Sequence, residues 1–269
     1  TDHEMNMGPD RFSYGTQGMP MNTQARTRGG MVQADVALSE RDIARIGLEG
    51  QTYTLYDWWP PVGGVMGPNT FWNIDYGTRN RAGAFGEWEA QWNEQWLSQI
   101  GVRGEVVKTD AGPVQGYNAQ PIWSVDAAAF NAAYRPRTDH NLDFTALTRY
   151  TPDATQLFEA GFARKSRSPN LYQRYLWSTQ PMAMLMNNYV GDGNGYVGNL
   201  NLKPEKAYTA SATFDFHAAD RSWELRATPY FTYVDDYIDA TRCTVGGMGG
   251  CPTATPNPST NTFVRLQYA

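Results

Sequence analysis

The chain has 269 residues, with 22 Lys+Arg against 27 Asp+Glu and a formal charge of −5, so it lacks the basic surplus typical of nucleic-acid partners. Charged residues are 18%, below the roughly 25% of an ordinary soluble domain, while aromatics reach 13%. The mean hydropathy of −0.56 and the lack of any run of about 18 apolar residues exclude a transmembrane helix, but not a membrane β-barrel, whose alternating strands average out as polar.

Period-2 alternation runs along almost the whole chain, and helical periodicity is almost absent. Segment 26–38 alternates weakly. In 44–58, Ala44, Ile46, Leu48, Thr52, Thr54, Tyr56 and Trp58 oppose Arg45, Glu49, Gln51 and Asp57. In 79–92, Ala82, Ala84, Trp88, Ala90 and Trp92 oppose Arg79, Arg81, Glu87, Glu89 and Gln91. Weaker examples follow at 96–108, 142–151 and 156–167. In 206–217, Tyr208, Ala210, Ala212, Phe214 and Phe216 oppose Thr209, Ser211, Thr213 and Asp215. In 222–234, Trp223, Leu225, Ala227, Pro229, Phe231 and Tyr233 oppose Glu224, Arg226, Thr228, Tyr230 and Thr232. A last weak segment is 262–269. This gives about nine strands.

Brief connections (Ser39–Asp42, Asn93–Gln95, Asp153–Gln156, Ala218–Arg221) alternate with long ones near 59–77, 110–140, 168–204 and 236–260. An antiparallel up-and-down sheet with tight turns at one rim and long loops at the other produces this rhythm, as in transmembrane β-barrels of the outer membrane. A soluble sandwich would rarely gather every long loop at one end. Each strand reaches the ~9–11 residues needed to cross at a tilt. The apolar stripe then faces lipid and the charged stripe a wet lumen. Trp58, Trp59, Trp92, Trp96, Tyr150 and Trp223 sit near strand ends, where aromatic girdles lie.

Three motifs carry a resemblance. Arg167-Ser168-Pro169-Asn170-Leu171-Tyr172 ends one strand, Asn199-Leu200-Asn201-Leu202-Lys203-Pro204-Glu205 opens the next, and Tyr230 to Asp236-Tyr237-Ile238 follows. In this order they resemble the C-terminal barrel of TonB-dependent outer-membrane receptors. The match is strongest over 156–238 and elsewhere is one of rhythm. The resemblance implies a barrel of about 22 strands with a plugged lumen. The whole of 1–269 is then expected to be a partial barrel, an internal piece without the plug domain, the TonB box or the terminal aromatic. It is expected not to transport alone, because a cut barrel exposes strand edges. The intact receptor, in the outer membrane of a Gram-negative bacterium, is expected to bind a scarce metal or metal chelate at its outer loops. TonB would supply the energy for import.

Pro169 cannot donate to a ladder and biases Ser168 to extended geometry, which suits a strand exit. Arg164, Lys165 and Arg167 read either as contacts to an anionic ligand or the plug, or as a solvated face. Ligand contacts are expected from Trp72, Trp123, Tyr172 and Tyr189, with Arg164 and Arg167. Ten methionines occur, all but Met31 outside the strands read here. His3, Met5 and Met7 with Met19 and Met21, and Met182, Met184 and Met186, are tightly spaced. Thioether plus imidazole is a soft donor set suited to Cu(I). His3-Glu4-Met5 looks like the His-x-Met pair of copper receptors in this family. The rival readings are an apolar vestibule and a greasy site for a porphyrin or siderophore. No resident cofactor is required; copper or an iron chelate would be cargo. Cys243 and Cys251 enclose a Gly-rich segment and read as a disulfide of an exported loop, with a Cys-Met-Cys copper site as the alternative.

Gly193, Gly195 and Gly198 fit G-x-G-x-x-G but follow no strand and open no helix. Asp192 and Asn194 have a calcium-loop flavour, but Tyr196 stands at the next ligand position. No H-E-x-x-H, P-loop or G-x-S-x-G occurs, so nothing points to an enzyme. The alternative from another class is a soluble secreted β-sandwich or propeller that binds glycans through its aromatics.

Overall fold

A computed structural model describes residues 1–7, 18–243 and 264–269. In chain order the elements are β1 (Asp2–Met7), β2 (Met19–Ala37), β3 (Asp42–Trp59), β4 (Phe71–Gln91), β5 (Trp96–Asp110), α1 (Pro121–Ala132), β6 (Arg137–Asp153) and β7 (Gln156–Arg167). Then come α2 (Leu171–Tyr175), α3 (Pro181–Met186), β8 (Gly195–Val197), β9 (Glu205–His217), β10 (Glu224–Ala227), β11 (Tyr230–Asp235), β12 (Ala240–Arg242) and β13 (Arg265–Tyr268).

Ten strands form one antiparallel sheet in the order β1-β2-β3-β4-β5-β6-β7-β9-β10, with β11 also on β9. The sheet is a meander that does not close on itself, with β1 at one edge and β10 and β11 at the other. Segment 222–234 is one stave interrupted at Pro229, which has no N–H for the ladder, although its carbonyl still accepts from the Ala212 amide at 3.1 Å.

The facing expected from the sequence holds. Arg45, Glu49, Glu87, Arg103 and Glu105 share one face. Arg45 donates to Glu87 at 2.6 Å and Glu89 at 3.1 Å, while Arg103 bridges Glu49 and Glu105. Val32, Leu48, Val102, Leu142 and Phe162 point to the opposite side and are solvent-exposed in the isolated chain. No second layer covers that apolar face among the described residues, which argues against a sandwich and suits lipid. Phe85 fits on the charged face because its register partner is Gly47: a Cβ there would come 2.3 Å from the Phe85 ring.

Two girdles border the apolar face. At the short-turn end, Trp96 stacks on Tyr150 at 4.5 Å and Trp88 meets Trp92 edge-on at 5.7 Å. At the long-loop end, Trp58 and Tyr56 lie 5.9 and 6.5 Å from Trp72. Trp59 departs from expectation. The pleat turns it to the other face, where it is wholly buried under loops.

Further differences from the sequence pattern lie toward the long-loop end. β2, β3 and β4 have 19, 18 and 21 residues, about twice what a bilayer crossing needs. The extra length stands outside the membrane, where no lipid enforces alternation. For this reason β1 and the start of β2 leave no strand signature in the sequence, and Met5, Met7, Met19 and Met21 lie on strands rather than in the expected loops. Residues 264–269, the described part of the last expected strand, do not join the large sheet. β13 instead pairs with β12 and β8 in a three-stranded sheet. The loop at 110–140 contains α1, whose buried face Trp123, Asp126, Ala127 and Phe130 has i, i+3, i+4, i+7 spacing. An Asp and an Ala make that stripe too thin to show as periodicity.

Candidate functional site

The long loops fold back over the outer end of the charged face. Their contact is an aromatic core: Phe71 stacks on Trp59 at 4.4 Å and on Trp177 at 5.0 Å, and Trp123 meets it edge-on at 5.7 Å. α1 starts with Pro121, which supplies helical φ without needing a partner for its nitrogen. α2 starts on a capping box, in which Asn170 accepts from the Gln173 amide and Gln173 reaches back to the Asn170 amide. Asp126 ties the loop containing Thr179 to α1, accepting its amide at 2.7 Å and its hydroxyl at 2.6 Å.

Arg174 anchors this assembly. It is buried, donates to Asp139 on β6 at 2.7 Å, to Thr109 on β5 at 3.0 Å and to the Leu202 carbonyl at 2.9 Å. Tyr175 donates to Thr109 at 2.9 Å, and burial pushes its phenol up to about 12. Gly198 allows the returning loop to lie against α2, since a Cβ there would meet the Arg174 carbonyl at 2.7 Å.

Beside the aromatic core is a buried polar knot. Asn73 donates to Asp57 and to Asn187, each at 2.8 Å, and Asn187 donates back to Asn73 at 3.1 Å. Tyr189 reaches Asp57 at 3.4 Å, and its ring centroid lies 4.4 Å from that of Tyr172. Burial, and then the Asp57 carboxylate, hold both phenols well above the usual tyrosine range.

The residues expected to contact ligand do not form one cluster. Tyr172 and Tyr189 sit together in the polar knot. Trp123 lies in the aromatic core. Trp72 belongs to the outer girdle. Arg164 shares its face with Phe144 and Phe162, on the apolar side. Arg167 lies on the charged face, ion-paired to Glu205, whose other oxygen accepts the Ile238 amide at 2.8 Å. The first two sequence motifs therefore meet in space through Arg167 and Glu205.

β1 brings soft donors to the charged face. It pairs with β2 so that Met5 opposes Met21, Met7 opposes Met19 and His3 opposes Thr23, which in turn opposes Asp57. Met21 is buried in the aromatic core, against which Met182 and Met186 also pack. Met184 is fully buried with Val197 and Cys243. Cys243 is disulfide-bonded; Cys251 lies outside the described residues. Among the described residues no group of three or more His, Cys, Asp or Glu could hold a metal. Asp192 is satisfied without a cation: Tyr196 donates to it at 2.6 Å and Asn194 from its side chain at 2.7 Å. Nothing in the local sequence marks Arg174, Asn73 or Asn187, because their partners are remote in the chain.

The family model "TonB dependent receptor-like, beta-barrel" matches residues 3–266. The chain belongs to this family. Among solved structures the "Copper transporter OprC" superposes with a TM-score of 0.67 at 14% identity, covering 99% of this chain and 38% of that one. The Serratia marcescens hemophore receptor HasR, in complex with its hemophore HasA and heme, gives 0.59 at 14% identity, over 94% of this chain and 38% of that one. The FrpB iron transporter from Neisseria meningitidis (F3-3 variant) gives 0.56 at 13% identity, over 94% and 32%. At these identities the likeness is one of fold. No curated protein matches by sequence. This TonB-receptor barrel segment thus spans less than two-fifths of the first of these relatives. A barrel of this family lies in the outer membrane of a Gram-negative cell. The neutral face of the segment is the lipid face and its charged face the lumenal one.

Proposed function

We propose that the receptor containing this segment captures a soft metal ion, Cu(I) in particular, at the outer mouth of the lumen and imports it with energy drawn through TonB. The observation that carries this reading is the β1–β2 register. His3 and Met5 are alternate residues of β1, and Met5 stands directly opposite Met21 on β2. Alternate residues of a strand share a face and directly paired residues are ~5 Å apart, so an imidazole and two thioethers converge on one patch. Met5 remains exposed toward the mouth while Met21 anchors the patch to the core. Such donors favour Cu(I) over hard cations. Among the structural relatives, OprC is named a copper transporter, HasR a hemophore receptor seen with heme, and FrpB an iron transporter. Met184, wholly enclosed, is assigned to packing rather than ligation.

The test is competition for Cu(I) between a chromogenic chelator and the full-length receptor. His3→Ala and Met5→Ala each weaken binding at least about tenfold, the scale on which lost metal-site interactions act, while Met184→Leu leaves it unchanged. A receptor that does not compete for Cu(I) would overturn copper as cargo. Equal affinity in the His3→Ala, Met5→Ala and parent proteins would move the site elsewhere.

A further inference from the structure

The two faces of the sheet treat their cations differently. On the lumenal face Arg45, Arg81, Arg103, Arg149 and Arg167 each lie against a carboxylate. On the lipid face Arg26, Arg28, Lys108 and Arg164 have no carboxylate partner among the described residues. Arg26, Arg28 and Lys108 are exposed. Arg164 lies over the Tyr208 ring, 5.7 Å from its centroid, and donates to the Leu142 carbonyl.

Followed from the short-turn end, and past the rim residue Asp153, the lipid-facing positions of five staves carry no Asp, Glu, Lys, Arg or His until Arg28 on β2, Lys108 on β5, His140 on β6, Arg164 on β7 and Lys206 on β9. The neutral stretch before them runs from 8 residues on β7 to 12 on β5, around the ~9–11 residues of a tilted crossing. The cations therefore stand at the outer boundary of the hydrocarbon, beyond the depth at which charge disrupts a barrel. Lys206 is held by Asp236 at 2.8 Å, and Asp235 lies beside it, so it adds little net charge. Basic side chains border two open grooves. One is lined by Arg26, Arg28, Thr54 and Tyr56, and the other by His140, Arg164, Lys203 and Lys206.

We propose that Arg26, Arg28, Lys108 and Arg164 form a belt that binds the phosphate groups of phosphorylated lipids in the outer leaflet. Charge complementarity selects this occupant. A zwitterionic head group brings its own cation, and the apolar band directly below the belt calls for acyl chains rather than a soluble anion. The guanidinium fork matches phosphate oxygens, and the aromatic floor of the first groove suits the sugar or glycerol beneath them. The belt rests on which face meets lipid and is independent of the cargo proposed above.

The experiment uses the full-length receptor, exchanged into bicelles of phosphatidylcholine with or without lipid A, and reads lipid A retained per receptor and the rise in Tm. The parent protein retains lipid A. A variant carrying R26Q, R28Q, K108Q and R164Q loses affinity by about fivefold per cation, whereas Arg226→Gln, on the lumenal face, binds as the parent does. The variant with Lys in place of the three arginines keeps most of the binding, and it supplies the answer if the Gln variant fails to fold. The belt is overturned by parent-like retention in the folded Gln variant, by Lys and Gln variants that lose retention equally, or by an equal Tm rise with inorganic phosphate alone.

Discussion

Arg174 shows how one residue can hold a loop to a barrel wall. Its side chain links α2 to β5, β6 and the Leu202 carbonyl, and it is 1% exposed. The pairing is incomplete, since Nε of Arg174 and Oδ2 of Asp139 lack partners. Even so, removing one member leaves a buried charge alone. Arg174→Leu should cost about 3–5 kcal/mol, measured by urea unfolding of the lipid-reconstituted receptor, and the Asp139→Asn, Arg174→Leu double variant should recover part of the loss. Additive losses would show that the ion pair is not the anchor. Asp57 offers a second test. Phenols raised on folding stabilise the native state while neutral, and that contribution is present below the unfolded value of about 10 and is lost as pH climbs through the folded value. Asp57→Asn removes the carboxylate beside Tyr172 and Tyr189, so phenolate absorbance should rise at lower pH than in the parent. Superimposable titrations would contradict the Asp57 contact. Neither residue is legible in the sequence. A lone Arg in a loop reads as solvated, and Asp57 reads as one more lumenal charge until Tyr189 arrives from far along the chain.

At the scale of elements, alternation is legible where lipid enforces it. In β3, β5 and β9 the lipid-facing stripe follows from the sequence pattern, because a one-residue slip would put charge into hydrocarbon. Past the bilayer that constraint lapses, and β1, the outer end of β2 and α1 carry no such signature. Position along the strand also grades the cost of a charge. Val102 lies midway along β5, whereas Leu225 pairs with Phe216 close to the short-turn end. Val102→Arg should therefore destabilise by about 2–4 kcal/mol and Leu225→Arg by about 0–1 kcal/mol. Equal costs, measured by reversible folding into vesicles, would contradict this depth assignment. The motif ends are legible for a different reason: Arg167 and Glu205 close β7 onto β9 at the point where both strands leave for the loops.

At the scale of the whole molecule, the ten-stranded sheet presents a neutral, apolar surface bordered by two aromatic girdles on one side. On the other it presents an ion-paired surface roofed at one end by folded loops. The fold class is legible because a rhythm of short and long connections admits few architectures. The convergence of His3, Met5 and Met21 is not, because it depends on the pairing of strands that the pattern leaves unmarked. The most direct test is a nitroxide scan through 97–107 of β5 in the membrane-embedded receptor, comparing collision rates with oxygen and with a polar nickel chelate. Oxygen accessibility should peak at positions 100, 102, 104 and 106 and the chelate at 99, 101, 103 and 105. The opposite phase, or no alternation at all, would contradict a lipid-facing ribbon backed by a wet lumen.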